Sequence, residues 1–423
     1  MSKTFLHRVA PFAPALIACL FLTACETRNN DVTTAPTEET AGDISALSPS
    51  AVVVVGTSLG SPLAGLNGAE QARFEAGLQE FTTAEEVDEG LGPVFNENAC
   101  NVCHNAPVGG TTGRLETRFG KRRNGVFDPL ANLGGSLIQD HAIGRVPAGN
   151  GFFKFVAEVV PRIANVTTQR LTTPLFGLGL VDAVPDQTLL DLANAEAQNS
   201  PRTKGTPHMV VDVGTGATRV GRFGWKAQQA TLHTFAGDAY LNEMGITSPD
   251  FPDENCPQGN CDILKFNPLP TLNDDGEGVT EFADFMAMLA PPPRGRNTQD
   301  VQQGARVFMA IGCADCHTPS LTTGPSPISA LSNKTFQPFS DFLLHNMGRL
   351  GDGIVQGNAT GREMRTAPLW GLTSRPVFLH DGRAKTPTAA ILFHDGQGAQ
   401  ARQNFLRLRG SQQQGLLAFL RSL

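Results

Sequence analysis

The chain is 423 residues long and carries 33 Lys and Arg against 40 Asp and Glu, a net charge of −7. That balance lacks the basic stripe that backbone binding requires and argues against a nucleic-acid partner, and eight cysteines in so long a chain exclude a small disulfide-stapled scaffold. Two domains are the expected number at this length, and 45 glycines and 29 prolines beside 7% aromatics predict a loop-rich protein.

Lys3 and Arg8 precede an apolar run from Pro11 to Ala24, which reads as an export signal over residues 1–24. The run is too short and too broken by proline for a membrane span. It ends in Leu22-Thr23-Ala24-Cys25, which resembles the lipobox of exported lipoproteins. Cys25 would then be lipidated, and Glu26 in place of aspartate favours the outer membrane, facing the periplasm. The alternative is an ordinary cleaved signal and a soluble periplasmic protein. Loss of residues 1–24 removes Lys3 and Arg8 and no acid, which carries the net charge from −7 to −9. Residues 26–50 are rich in Thr, Ala, Glu and Ser without apolar period, so residues 25–60 are expected to form a flexible tether.

Asn67-Gly68-Ala69-Glu70 reads as a capping box that opens a helix to about Phe81. Val94-Phe95 and then Cys100-Asn101-Val102-Cys103-His104 follow. Thr298 and Asp300 open a second helix through Phe308, and Cys313-Ala314-Asp315-Cys316-His317 comes after it. A Val-Phe pair precedes the first cysteine at the same interval in both places, a weak internal repeat. Each C-x-x-C-H string has the thiols to bond one haem covalently and a histidine, His104 or His317, to ligate its iron. A zinc site is the competing reading, but neither string has a second C-x-x-C or H-x3-H beside it. The expected fold is therefore mainly α, with two cytochrome c-like haem domains and long irregular loops. Residues 61–292 and 293–423 form the two domains, divided at Ala290-Pro291-Pro292-Pro293-Arg294-Gly295, where three prolines stiffen the chain. Cys256 and Cys261 enclose a turn and can pair in an oxidising compartment.

What opposes His104 and His317 decides the chemistry, because two strong ligands make an electron carrier and an open face admits a small ligand. Thr386-Pro387 reads as N-cap and N1 of a short helix that Gly396 ends, with His394 in its last turn. Met347 in Leu343-Leu344-His345-Asn346-Met347-Gly348 is the rival ligand, and a Met there raises the potential relative to histidine. If Met347 instead caps the first haem, the chain is a non-catalytic electron carrier. A helical stretch from Gln228 to Leu241 leads to Glu243-Met244, and the alternative for Glu243 is a solvated helix end. His141 and His208 read as surface histidines, and His380 as a hydrogen-bonding residue near the domain interface.

Phe378-Leu379-His380-Asp381-Gly382, Thr386, Leu91-Gly92-Pro93-Val94-Phe95, Gly221-Arg222-Phe223-Gly224-Trp225-Lys226-Ala227, Asn242-Glu243-Met244-Gly245 and His345-Asn346-Met347-Gly348 together resemble the di-haem oxidoreductases assigned as peroxidases or thiol oxidoreductases. These are related to the bacterial di-haem cytochrome c peroxidases and the methylamine-utilisation di-haem enzyme. The resemblance covers about residues 60–423. It implies a distal ligand fourteen residues beyond His380, which is His394, and hence a bis-histidine second haem. It also implies hydrogen peroxide as substrate at the first haem, Glu243 as acid and base there, His233 near the family's distal glutamine, and Trp225 as a relay between the haems. Core packing accounts equally well for Trp225. The relatives further imply an unidentified periplasmic electron donor and a calcium ion between the domains.

Overall fold

The computed structural model describes Val54, residues 57–269 and residues 272–423. The signal segment 1–24, Cys25 and residues 26–50 of the tether lie outside the described residues. Among the described residues no helix is long and apolar enough to cross a membrane.

Two pairs of helices organise the apolar interior. The helix Gly68–Thr82 begins where the capping box places it, with the Asn67 side chain accepting from the Ala69 and Glu70 amides and Glu70 reaching back to the Asn67 amide. It packs on Glu277–Met288, and the approach is so close that a Cβ on Gly77 would strike the Glu281 carbonyl. Gln299–Ala310, capped by Thr298, packs in the same way on Gly410–Arg421, where Gly304 meets the Gly415 backbone. Each pair backs one C-x-x-C-H string: Phe81 lies 6.0 Å from the His104 ring and Phe308 6.5 Å from that of His317.

The first core gathers Phe74, Phe81, Tyr240, Phe282 and Phe285, and also takes Leu321, Phe336, Leu343 and Trp370 from beyond the proline stretch. The second holds Phe308, Phe339, Phe405 and Phe419. The proline stretch itself is packed: Ala290, Pro291 and Pro292 are buried, and Gly295 donates to the Ser422 carbonyl. Strands fill the region that the sequence marks only as loop. Leu115–Arg123 pairs antiparallel with Val166–Leu171 and Val126–Asp128, and further two-stranded ribbons surround them. Cys256 and Cys261 are disulfide-bonded.

Candidate functional site: two cavities with one shared wall

The helix over the first cavity starts at Leu232, four residues later than the pattern suggests, because Ala227 adopts φ 50° and Thr231 supplies the N-cap through a bond from the Thr234 amide. It runs to Met244, so Glu243 lies in its last turn, half-buried and turned into the cavity rather than fully solvated. Cys100, Cys103, His104, Glu116, Trp225 and Glu243 line this cavity, of about 200 Å³. His104 caps the single turn Cys100–Cys103, and burial lowers its imidazole to about 4, the neutral form a metal requires. Burial likewise pushes the Cys103 thiol up to about 12 and Cys100 higher still, so both are protonated and unpaired.

Of the carboxyl groups that line this space, Glu116 and Glu243 are pushed in opposite directions. Burial, then the neighbouring Glu116 charge, raises Glu243 well above the carboxylate range, although Asn96 donates to its Oε2 at 2.7 Å. Burial also works against Glu116, but Arg118 at 2.6 Å outweighs it and holds that group below its ordinary value. Glu116, Asn96 and Arg118 were not signalled by the sequence, since they reach Glu243 from a strand and a loop more than a hundred residues away. The structure corrects the position of His233. It sits on the outer face of the same helix, 45% exposed and bonded to Asp250 at 2.9 Å, and does not line the cavity.

The second cavity, about 830 Å³, is lined by Cys313, Cys316, His317, Met347, His380 and His394 among others. Thr386 caps Pro387–Phe393 as expected, but the helix stops at Phe393 and His394 is its C-cap. His317 donates through Nδ1 to the Phe339 carbonyl at 2.9 Å, and His394 through Nδ1 to that of Ala390 at 2.8 Å. Each bond fixes a tautomer whose Nε2 carries a free lone pair. Burial keeps both rings neutral, His317 at about 4 and His394 below its ordinary value. Their centroids are 6.5 Å apart. Two metal–imidazole bonds of about 2.0–2.1 Å, with about 1.1 Å from each nitrogen to its ring centre, come to roughly 6.3 Å, close to the spacing of these two tilted rings. Met347 belongs to this cavity and not to the first; its methyl group and the His394 ring both crowd Gly398.

Leu171, Thr172, Thr173, Gly224, Trp225 and Phe235 line both cavities and form the wall between them. Trp225 donates from Nε1 to the Leu171 carbonyl at 2.8 Å and stands edge-on to His380, 6.2 Å between centroids. His380 is buried, but among the described residues its Nε2 has no hydrogen-bond partner, which departs from the hydrogen-bonding role expected of it. His208 departs from the surface expectation: it is 3% exposed, with Nδ1 on the Lys226 carbonyl and Nε2 accepting from Asn358.

Residues 164–423 match the family described as "Di-haem oxidoreductase, putative peroxidase". The chain belongs to this di-haem oxidoreductase family, the one its motifs resemble. The matched span contains Trp225, Glu243, His317 and His394, and the first C-x-x-C-H string precedes it. No curated protein sequence matches. Among solved structures the chain is similar to the diheme peroxidase BthA from Burkholderia thailandensis E264, at 13% identity over 83% of this chain and 86% of that one, TM-score 0.38. A MauG-like protein associated with microbial copper homeostasis is 14% identical over 87% and 94% of the two chains, TM-score 0.36. Hydrazine synthase from Kuenenia stuttgartiensis is 17% identical over 41% of this chain, which spans 65% of that one, TM-score 0.27. Membership rests on the family match.

The family implies two haems, and the donor sets fit unequally. The second cavity lies within the roughly 300–1,000 Å³ of cofactor-sized pockets; the first lies below it, so a macrocycle there requires its lining side chains to move apart. Among the described residues the one group of three close ligating side-chain atoms is Cys316, Asp341 and His345. It is a row, with His345 Nδ1 3.4 Å from the Cys316 sulfur and Nε2 2.7 Å from Asp341, and it is unlike the all-oxygen set that calcium takes.

Proposed function

We propose that the chain is an exported di-haem peroxidase, with one haem bonded to Cys100 and Cys103 and ligated by His104, and the other bonded to Cys313 and Cys316 and ligated by His317 and His394. The observation that carries this reading is the contrast between the cavities: His317 and His394 with ring centres 6.5 Å apart in one, and His104 as the single histidine, with Glu116 and Glu243 among several carboxyl groups, in the other. A haem iron with an open face supplies a site where peroxide binds and accepts electrons.

The protein residues supply the protons. Two titratable groups pushed in opposite directions are a ready acid and base. Glu116, kept ionised by Arg118, accepts the first peroxide proton, and Glu243, kept protonated by burial, gives its proton to the departing oxygen. Hydrogen peroxide, two protons and two electrons give two waters. The electrons come from a periplasmic donor through the second site and past Trp225, whose ring lies in both cavity walls. Lipidation of Cys25 would hold the enzyme at the outer membrane.

The test is a spectrum and a peroxide titration of the purified ferric protein. A high-spin component that peroxide converts, beside a low-spin bis-histidine component, is expected. A wholly low-spin spectrum without peroxide response refutes catalysis and leaves a di-haem electron-transfer protein.

A further inference from the structure

The arginines around the two cavities differ in what they meet. At the first, Arg114 pairs with Glu97 at 2.6 Å, Arg118 with Glu116 at 2.6 Å and Arg170 with Asp352 at 2.7 Å. At the second, Arg222 pairs with Asp186 and Arg402 with Asp395 at 3.8 Å, but Arg365 and Arg375 have no carboxylate partner among the described residues. Arg365 is 7% exposed; its Nε donates to the Gly224 carbonyl at 2.7 Å and a terminal nitrogen to that of Thr366 at 3.0 Å. Arg375 donates from one terminal nitrogen to the carbonyls of Pro368 and Trp370 at 2.8 and 3.0 Å, and its Nε is buried with no partner.

Both line the second cavity. Burial lowers each guanidinium to about 10, and the nearest opposing charge to Arg365, Asp341, is already bonded to His345. At neutral pH this wall therefore holds two like charges close enough to repel one another. A buried charge without a counter-ion is costly, and carbonyl dipoles recover only part of that cost. Arg294 is also buried without a carboxylate, but it is outside the cavity, and Ser422, Gln337 and the Phe339 ring occupy it.

We propose that Arg365 and Arg375 form the anion site of the second cavity and take the two carboxylates of the haem bound there. Two cations face a ligand with two propionates, and the planar forks suit carboxylate oxygens. The proposal rests on the reading that a haem occupies this cavity. It adds what sets the haem's charge balance: two fixed cations at its acidic edge favour the reduced iron.

The experiment uses the full holoprotein and the variants R365Q, R375Q, R365K and R375K. Pyridine haemochrome analysis counts haems, and spectroelectrochemistry reads the low-spin haem. Two haems per chain are expected throughout. In each glutamine variant the reduced-to-oxidised ratio of the low-spin haem at fixed potential falls about tenfold, which is 59 mV for one electron, and the lysine variants stay within about threefold of the parent. Ratios within threefold in both glutamine variants, with two haems present, overturn the anion site alone. Fewer than two haems in the parent removes the underlying reading and the proposal with it. Where a glutamine variant does not fold, resonance Raman of the parent and R375K decides. Shifted propionate bands support the contact, and unmoved bands overturn it.

Discussion

Glu243→Gln separates proton donation from every other property of the first cavity. Glutamine retains an oxygen to accept from Asn96, now at 2.7 Å from Oε2, and keeps the volume of the helix end at Met244. It cannot release a proton. A positioned acid or base contributes about 10²–10⁴-fold, which is roughly 2.7–5.4 kcal/mol of barrier at 1.36 kcal/mol per decade. The stability effect has the opposite sign. A carboxyl whose pKa is raised on folding binds more protons folded than unfolded, so stability is lost as pH rises from the ordinary carboxylate range through the raised value. E243Q removes that loss and is more stable than the parent above neutral pH. Stopped-flow mixing of the reduced protein with peroxide gives the rate constant, and urea unfolding at pH 5 and pH 8 gives the stability. In the parent the rate falls on the alkaline side as Glu243 loses its proton and on the acid side as Glu116, held low, gains one. A rate in E243Q within threefold of the parent, or equal stability changes with pH in both proteins, refutes the assignment.

His394→Ala should convert the second haem from low-spin to high-spin, whereas Met347→Leu leaves its spectrum unchanged; a ligand-loss spectrum in M347L alone would reverse the assignment. Asp352→Asn leaves Arg170 and Lys226 buried without the carboxylate that both contact, at 2.7 and 2.8 Å. A loss of about 3–5 kcal/mol in urea unfolding is expected, and less than 1 kcal/mol would show that the carbonyls of Thr360 and Glu363 suffice for Lys226. Trp225→Leu keeps the wall apolar and removes the ring: peroxide consumption at the first haem stays within threefold while re-reduction from the second slows at least tenfold, followed at the low-spin bands. An unchanged re-reduction rate makes Trp225 a packing residue.

Local signals were readable and distant ones were not. Asn67, Thr298 and Thr386 announce helix starts because a cap is satisfied within three residues. Both C-x-x-C-H strings are equally local, and the resemblance points to His394 through an interval of fourteen residues from His380. The pattern runs the helix from Gln228 straight through the capping Thr231, because the positive φ of Ala227 that breaks it leaves no mark in the sequence. His233 was placed by interval alone, and an interval does not fix a face. Asn96 is 147 residues from Glu243 and Asn358 is 150 from His208. No period or spacing carries such pairings; the first arises where the loop before Cys100 meets the helix end at Glu243, the second where the turn between Gln356 and Ala359 meets His208.

The wall between the cavities links these distant contacts to function. Trp225 is held by its indole on the Leu171 carbonyl, and its own carbonyl accepts from the Arg365 amide at 2.9 Å. Leu171 in turn donates to the His380 carbonyl at 2.5 Å and follows Arg170, which Asp352 anchors. The ring that both cavities share is thus fixed by the Arg170-Leu171 pair and by three positions about two hundred residues away, Asp352, Arg365 and His380. An electron path needs its intermediate group at a constant distance from both ends, and buried, fully bonded polar groups are what hold a side chain so. The same segments carry Arg365 at the second cavity and lie next to Glu116 and Arg118 at the first. Loss of the Asp352 carboxylate would therefore be felt at both sites through the wall, before either set of iron ligands is touched.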